Sequence, residues 1–330
     1  MHSRRHFLRS LAASAVTSAL LGGGGAIAQT FPSRPVTMIV PYPAGGPTDT
    51  IGRIMAEGLR ASLGQPVIVE NVGGASGSLG TGRVARAAPD GYTLGLGLWP
   101  THVVNGAVFA LSYDVVTDFV PVGLIATNPL LIVARKSLPV DDLRGLIAWL
   151  KANPVKATAG TGGAGGASHV AGIYLQRETG ATFQFVYYRG LGPAMQDLIA
   201  GHIDVLIDYA ANSLPQVHAG TIKAFAVTAP ARLATAVDVP TVDEAGLPGF
   251  YMSAWHAFFA PKGTPKDVVA TLNRAMVAAL ADPMVRQRLM ALGQDIYPPE
   301  QQTPEALAAF QRAEIAKWWP MLKAAAIRLE

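Results

Sequence analysis

The chain has 330 residues, no cysteine, 26 Lys and Arg against 22 Asp and Glu, and a formal charge of +4. Without cysteine there are no disulfides, thiolate metal sites or thiol nucleophiles. Arg4, Arg5 and Arg9 fall in the first 28 residues, which hold no acid; discounting them leaves +1 and no long basic run, so neither nucleic acid nor a membrane surface is an expected partner.

The N-terminus reads as a targeting segment. Ser3-Arg4-Arg5-His6-Phe7-Leu8-Arg9 is a basic start, Ser10 to Leu21 is short and mostly apolar, and Ala26-Ile27-Ala28 is a small-x-small cleavage site. The apolar stretch is shorter than the ~20 residues that span a bilayer. Residues 1–28 are therefore expected to be a signal peptide, the paired arginines fitting the twin-arginine variant, with Gln29 as the first mature residue. The remaining 302 residues exceed what one core comfortably serves and suggest two domains.

Strand-like and helix-like runs then alternate. Val36–Val40 predicts a strand, and Pro47 opens a helical pattern that Gly64 closes. Strands follow at Val67–Glu70 and Tyr92–Leu98, around a helix carrying Val84 and Ala85. Further strands are expected at Leu130–Ala134, Lys156–Ala159, Phe183–Tyr187, Val205–Asp208 and Ala224–Thr228. Helices are expected at Leu143–Ala152, Ser168–Thr179 and Pro193–Ala200. The C-terminal part reads as helical, with capping Thr-Pro pairs at Thr264 and Thr303, and Pro320 should kink or end the last helix. Such alternation implies α/β architecture with mostly parallel sheets, and ligands of such sheets bind at the carboxyl ends of the strands.

Three small-residue loops sit at those ends. The first is Pro41-Tyr42-Pro43-Ala44-Gly45-Gly46-Pro47-Thr48-Asp49, and the second Asn71-Val72-Gly73-Gly74-Ala75-Ser76-Gly77-Ser78. The third runs from Gly160 through Thr161 and Gly163 to Ser168 and His169. Each enters a helix, whose first N–H groups have no intrahelical acceptor and attract anions. Gly160, Gly162 and Gly165 fit G-x-G-x-x-G, but the next strand ends Tyr187-Tyr188-Arg189 rather than in an acid, so a dinucleotide is not indicated. No nucleophile elbow or Walker loop occurs, and the histidines beyond the signal are scattered, so neither catalysis, a cofactor nor a metal is expected. Trp99 and Tyr209, at strand ends, are the aromatic candidates for a ligand pocket.

The ordered set of blocks resembles the tripartite tricarboxylate transporter substrate-binding proteins, the Bug or TctC family. The first loop is one block; Val69-Glu70-Asn71 through Gly80, Pro89-Asp90-Gly91-Tyr92, Tyr113-Asp114, Asp118-Phe119-Val120-Pro121, Tyr188-Arg189-Gly190, Glu244-Ala245-Gly246 and Ala260-Pro261-Lys262-Gly263-Thr264-Pro265 follow in order. The resemblance implies a type II periplasmic-binding-protein fold, with lobe 1 from residues 29–127 plus 252–330 and lobe 2 from residues 128–251. It implies a monomeric, periplasmic receptor that closes on a small carboxylate and serves the membrane subunits of a transporter. The site residues it implies are Tyr42, Ala44, Gly45, Gly46 and Asp49; Ala75, Ser76 and Gly77; and Thr161, Gly163, Ser168, His169, Tyr188, Gly190 and Asp208. The third loop departs from the family in having few serines, Thr161 being the hydroxyl beside Gly162. A sensory adaptor, or an enzyme on the same fold, are the competing expectations.

Overall fold

The computed structural model describes residues 31–188 and 190–325; the expected signal segment lies outside the described residues. In chain order, β1 (Val36–Val40) leads through the first loop to α1 (Pro47–Leu63), and β2 (Val67–Asn71) through the second to α2 (Ser78–Ala85). β3 (Thr93–Leu98) runs into a helical turn at Pro100–Val104 and α3 (Asn105–Val108). Next come β4 (Phe119–Arg135), α4 (Leu143–Ala152), β5 (Thr158–Thr161), α5 (Ala167–Thr179), β6 (Gln184–Tyr187), α6 (Leu191–Ala200), β7 (Val205–Tyr209), α7 (Ala210–His218) and β8 (Ile222–Val227). β9 (Ser253–Pro261), α8 (Lys266–Ala281), α9 (Pro283–Ala291), β10 (Asp295–Ile296) and α10 (Pro304–Ala324) complete the chain.

The strands form one mixed sheet in the order β2-β1-β3-β9-β4-β7-β5-β6, with β8 and β10 also paired to β4. β4 is 17 residues long and does two jobs. Its first part pairs antiparallel with β9, from Phe119 opposite Pro261 to Pro129 opposite Ser253. Its last part, from Leu130 on, pairs with β7 and β8. The two halves therefore share one topology: three parallel strands, an antiparallel return strand, then an outer strand. β4 is the outer strand of the first half and the return strand of the second.

The sequence reading foresaw only Leu130–Ala134 of β4 and none of β9. Pro121, Gly123 and Pro129 disguise the first part of β4, and the register with β9 slips around Pro121–Gly123 and Leu124–Ala126. β9 is buried along nearly all its length, so it shows no alternation of polar and apolar residues. α7 was also unforeseen, because Pro215 lies inside it. The expected break at Pro320 does not occur as a stop: α10 continues to Ala324.

Burial explains the layering. Met55 and Leu59 of α1 meet Leu272 and Met276 of α8 over one sheet face. A Cβ on Gly58 would come within 2.8 Å of the Ala279 Cβ, so the two helices cross at a distance only glycine allows. On the other face, α10 presents Leu307, Trp318 and Leu322 to a core that continues into the second half. Among the described residues, no single helix is long and apolar enough to cross a membrane.

Candidate functional site

The first two loops form one surface. Asn71 Nδ2 donates to the Tyr42 carbonyl and to Asp49 Oδ1, both at 3.0 Å, tying the end of β2 to the first loop. The Tyr42 phenol reaches the Ser76 carbonyl at 3.4 Å. A Cβ on Gly73 would meet Pro43 at 3.0 Å, and one on Gly77 the Pro41 carbonyl at 3.2 Å, so small residues are needed here for the loops to touch.

Asp49 is buried beneath the first loop. Its Oδ2 accepts the Gly45 N–H at 2.8 Å and Arg53 Nε at 3.0 Å. Burial alone would raise this carboxyl; the bonds from Arg53, Gly45 and Asn71 outweigh it and hold the group below the usual carboxylate range. The result fixes Gly45 at φ +83° and leaves Gly46 as the residue before α1. Ala44, Gly45 and Gly46 are thus laid around the start of that helix.

The second loop is strained. Ala75 and Ser76 have φ of 46° and 52°, between Gly74 at 123° and Gly77 at 87°. Left-handed backbone at a residue other than glycine costs about 1–3 kcal/mol and persists where neighbours enforce it. Asn105 is one such neighbour: its Nδ2 donates to the Ser76 carbonyl at 2.9 Å and to Ser78 Oγ at 3.1 Å. The sequence reading did not single out Asn105, because nothing in its local sequence marks a contact 29 residues away.

The third loop is built like the first. The Gly165 N–H donates to His169 Nδ1 at 3.0 Å, and Gly162 N–H to Ser168 Oγ at 3.1 Å. Thr161 Oγ1 accepts the Gly163 N–H at 3.1 Å and donates to the Gly163 carbonyl at 2.8 Å. With Nδ1 accepting, the neutral imidazole carries its proton on Nε2, which lies 3.1 Å from the Tyr187 hydroxyl. Burial lowers the His169 pKa and favours that neutral form. The loop abuts the 188–190 segment: a Cβ on Gly162 would lie 3.4 Å from the Gly190 carbonyl carbon, and one on Gly163 3.9 Å from the Tyr188 carbonyl. Gly190, at φ 125°, precedes α6.

The remaining expected residues lie as follows. The Tyr188 hydroxyl donates to Asp197 on α6 at 2.6 Å, and burial together with that carboxylate pushes the phenol up to about 12. Asp208 is fully buried at the end of β7. It accepts the Tyr209 N–H at 2.7 Å, Asn212 Nδ2 at 2.6 Å and Ser213 Oγ at 3.1 Å, while burial pushes its carboxyl up to about 7. Trp99 is 0% exposed and packs edge-on against Trp318 at 5.4 Å. An aromatic residue at a strand end can turn either way, and α10 covers this one. Tyr209 is instead half-buried and lies near enough to Tyr42 to raise its phenol pKa beyond the effect of burial. Burial pushes Tyr42 itself up to about 12, so both phenols stay neutral donors at neutral pH. Tyr42 follows the end of β1 in one half, and Tyr209 ends β7 in the other. Among the described residues, no cluster of His, Asp or Glu could hold a metal ion.

The Tripartite tricarboxylate transporter family receptor model (TctC) matches residues 51–327. A protein of the TAR-I ttuE-ttuC' intergenic region of Agrobacterium vitis is 44% identical over 87% of this chain and 83% of its own length. Among solved structures, the periplasmic binding protein BugD is 39% identical with a TM-score of 0.77, covering 91% of this chain and all of its own. MatC of Rhodopseudomonas palustris with bound malate is 40% identical with a TM-score of 0.77, covering 88% of this chain and all of its own. Another R. palustris protein, bound to adipate, is 33% identical with a TM-score of 0.79, covering 91% of this chain and all of its own. The fold is accordingly the α/β type II periplasmic-binding-protein fold, and the chain belongs to the tripartite tricarboxylate transporter receptor family, the TctC or Bug solute-binding proteins.

Proposed function

We propose that the protein is a periplasmic receptor that captures a small dicarboxylate and delivers it to the membrane subunits of a tripartite tricarboxylate transporter, breaking no bond in the process. The observation that carries this reading is the matched pair of glycine loops at the starts of α1 and α5, each rigidified from beneath by the side chain of the helix it enters. The first N–H groups of both helices, together with the left-handed Ala75-Ser76 backbone, supply preorganised donors for carboxylate oxygens. The neutral Tyr42 and Tyr209 phenols add donors between the halves. In this reading Asp49, His169, Tyr188 and Asp208 position the loops, while the backbone touches the ligand. Lobe 1 is residues 29–127 plus 252–330 and lobe 2 residues 128–251, and the two close about β4 and β9. Malate and adipate, the ligands of the two R. palustris relatives, bracket the expected length.

Titration calorimetry of the mature protein with malate, adipate and dicarboxylates of intermediate length tests this. One of them at about 100 times its Kd should stabilise the fold by about 2.7 kcal/mol. Gly45→Val should abolish that binding while leaving the melting temperature within a few degrees, because φ of +83° excludes a β-branched residue yet nothing lies within 4 Å of the added Cβ. A dicarboxylate that binds the variant as tightly as the wild type would remove the first loop from the site. No response to any acid would end the carboxylate reading.

A further inference from the structure

The outer strands of the two halves, β2 and β6, end on Asn71 and Tyr187, and each of these side chains meets the start of the helix that precedes its strand. Asn71 Nδ2 donates to Asp49 of α1 at 3.0 Å, and the Tyr187 hydroxyl lies 3.1 Å from His169 Nε2 of α5. The two bonds run in opposite directions. In the first half nothing is left over: Asn71 gives its second N–H to the Tyr42 carbonyl, and its oxygen accepts Arg53 at 3.3 Å. In the second half the histidine fixes the direction. The Gly165 N–H occupies Nδ1, so the ring proton sits on Nε2 and the Tyr187 oxygen accepts it. The phenol hydrogen therefore points away from the imidazole, and among the described residues no acceptor meets it.

That hydrogen stands beside the third loop. Tyr187 pairs in register with Thr161, where the loop leaves β5, and the Tyr188 N–H donates to the Thr161 carbonyl at 2.9 Å. The Tyr187 ring lies edge-on to His169 at 5.2 Å and 6.3 Å from Phe185, so one side of it is held. The rest is open, Tyr187 being 55% exposed. An oriented donor and an uncovered ring face thus flank the start of α5, where the helix offers its own unpaired N–H groups.

We propose that Tyr187 contacts the ligand and selects it, an inference that rests on the dicarboxylate reading above. Its hydroxyl donates to the carboxylate that reaches the third loop, and its ring covers the neighbouring methylenes. Donation from His169 into the phenol oxygen polarises the O–H bond, and a carboxylate acceptor makes the outgoing bond charge-assisted. A chain that ends here in a methyl group displaces water from the hydroxyl and offers no acceptor in return, so the site rejects it. The equivalent place in the first half has no such function, because both Asn71 N–H groups are committed.

Tyr187→Phe keeps the ring and removes only the oxygen. Calorimetry compares it with the wild type for malate, succinate, glutarate and adipate. Each is measured beside the acid in which one carboxylate is replaced by methyl: 3-hydroxybutyrate, butyrate, pentanoate and hexanoate. The wild type should bind its best dicarboxylate at least about tenfold more tightly than the matching monocarboxylate, and Tyr187→Phe should weaken that dicarboxylate by at least about tenfold. Hydrogen exchange of the ligand-free variant should find the Gly165 N–H as protected as in the wild type, which separates a lost contact from a distorted loop. A smaller loss of affinity, equal binding of the matched monocarboxylate, or a Gly165 N–H that loses protection overturns the proposal and leaves the receptor reading standing. Failure of the wild type to bind any of the four dicarboxylates overturns both.

Discussion

Asp49 and His169 hold the same place in the two halves. Each is the third residue of its helix, α1 or α5, and each accepts the N–H of the glycine four residues before it, Gly45 at 2.8 Å and Gly165 at 3.0 Å. Both glycines are left-handed, at φ +83° and +73°. One half uses a carboxylate for this bond and the other an imidazole.

That difference gives the two loops different pH limits. The His169 pKa is lowered in the fold, so the unfolded chain takes up the proton first and the stabilisation is complete only above the unfolded value near 6.5. It is lost as pH falls from there through the folded value. The Asp49 pKa is also lowered, so its contribution persists down through the unfolded carboxylate value and fails only below it. Amide hydrogen exchange checks this: protection of the Gly165 N–H should fall by a factor of about five or more between pH 7.5 and 5, beyond the change in intrinsic rate, while that of Gly45 holds. His169→Asn, which keeps an acceptor that does not titrate, should remove the effect. Loss of Gly45 protection first would contradict the assignment.

Asn105 is expected to matter to binding more than to folding. Asn105→Ala removes the bond to the Ser76 carbonyl and the one to Ser78 Oγ. The released strain offsets part of the lost hydrogen bonding, so stability should fall by about 1 kcal/mol or less. Dicarboxylate affinity should fall by more than tenfold because the donors lose their fixed geometry. Calorimetry and thermal melting on the same preparation separate the two effects; equal losses in both would assign Asn105 a structural role alone.

Thr228 seals the crossing between the halves. Its hydroxyl accepts the Leu130 N–H at 3.1 Å and donates to the Met252 carbonyl at 2.6 Å, joining the end of β8 to β4 and to the segment before β9. Thr228→Val keeps the shape but strips a buried N–H and a buried carbonyl of their shared partner. A loss of about 2–4 kcal/mol in urea unfolding is expected, while Thr228→Ser should retain most of the stability. A neutral Thr228→Val would mean that water replaces the hydroxyl.

The loops were legible in the sequence because glycine and proline punctuate them: Pro47 and Gly64 bound α1 as expected. Their internal wiring was not. Asp49 and His169 were expected at the ligand; that each also accepts the N–H of the glycine four residues before it depends on the φ of that glycine. Trp99 and Tyr209 looked alike as aromatics at strand ends; α10, remote in sequence, covers Trp99, while Tyr209 is half-buried. β9 was invisible for a related reason, since a strand buried on both faces carries no period-two signal.

β4 has a consequence for how the chain can come apart. Because its 17 residues close one half of the sheet and begin the other, neither half has a complete set of edges without the same strand. Losing it exposes the flank of β9 and the flanks of β7 and β8 at once. The two halves are therefore one body when the chain unfolds: release of this shared strand dissolves both.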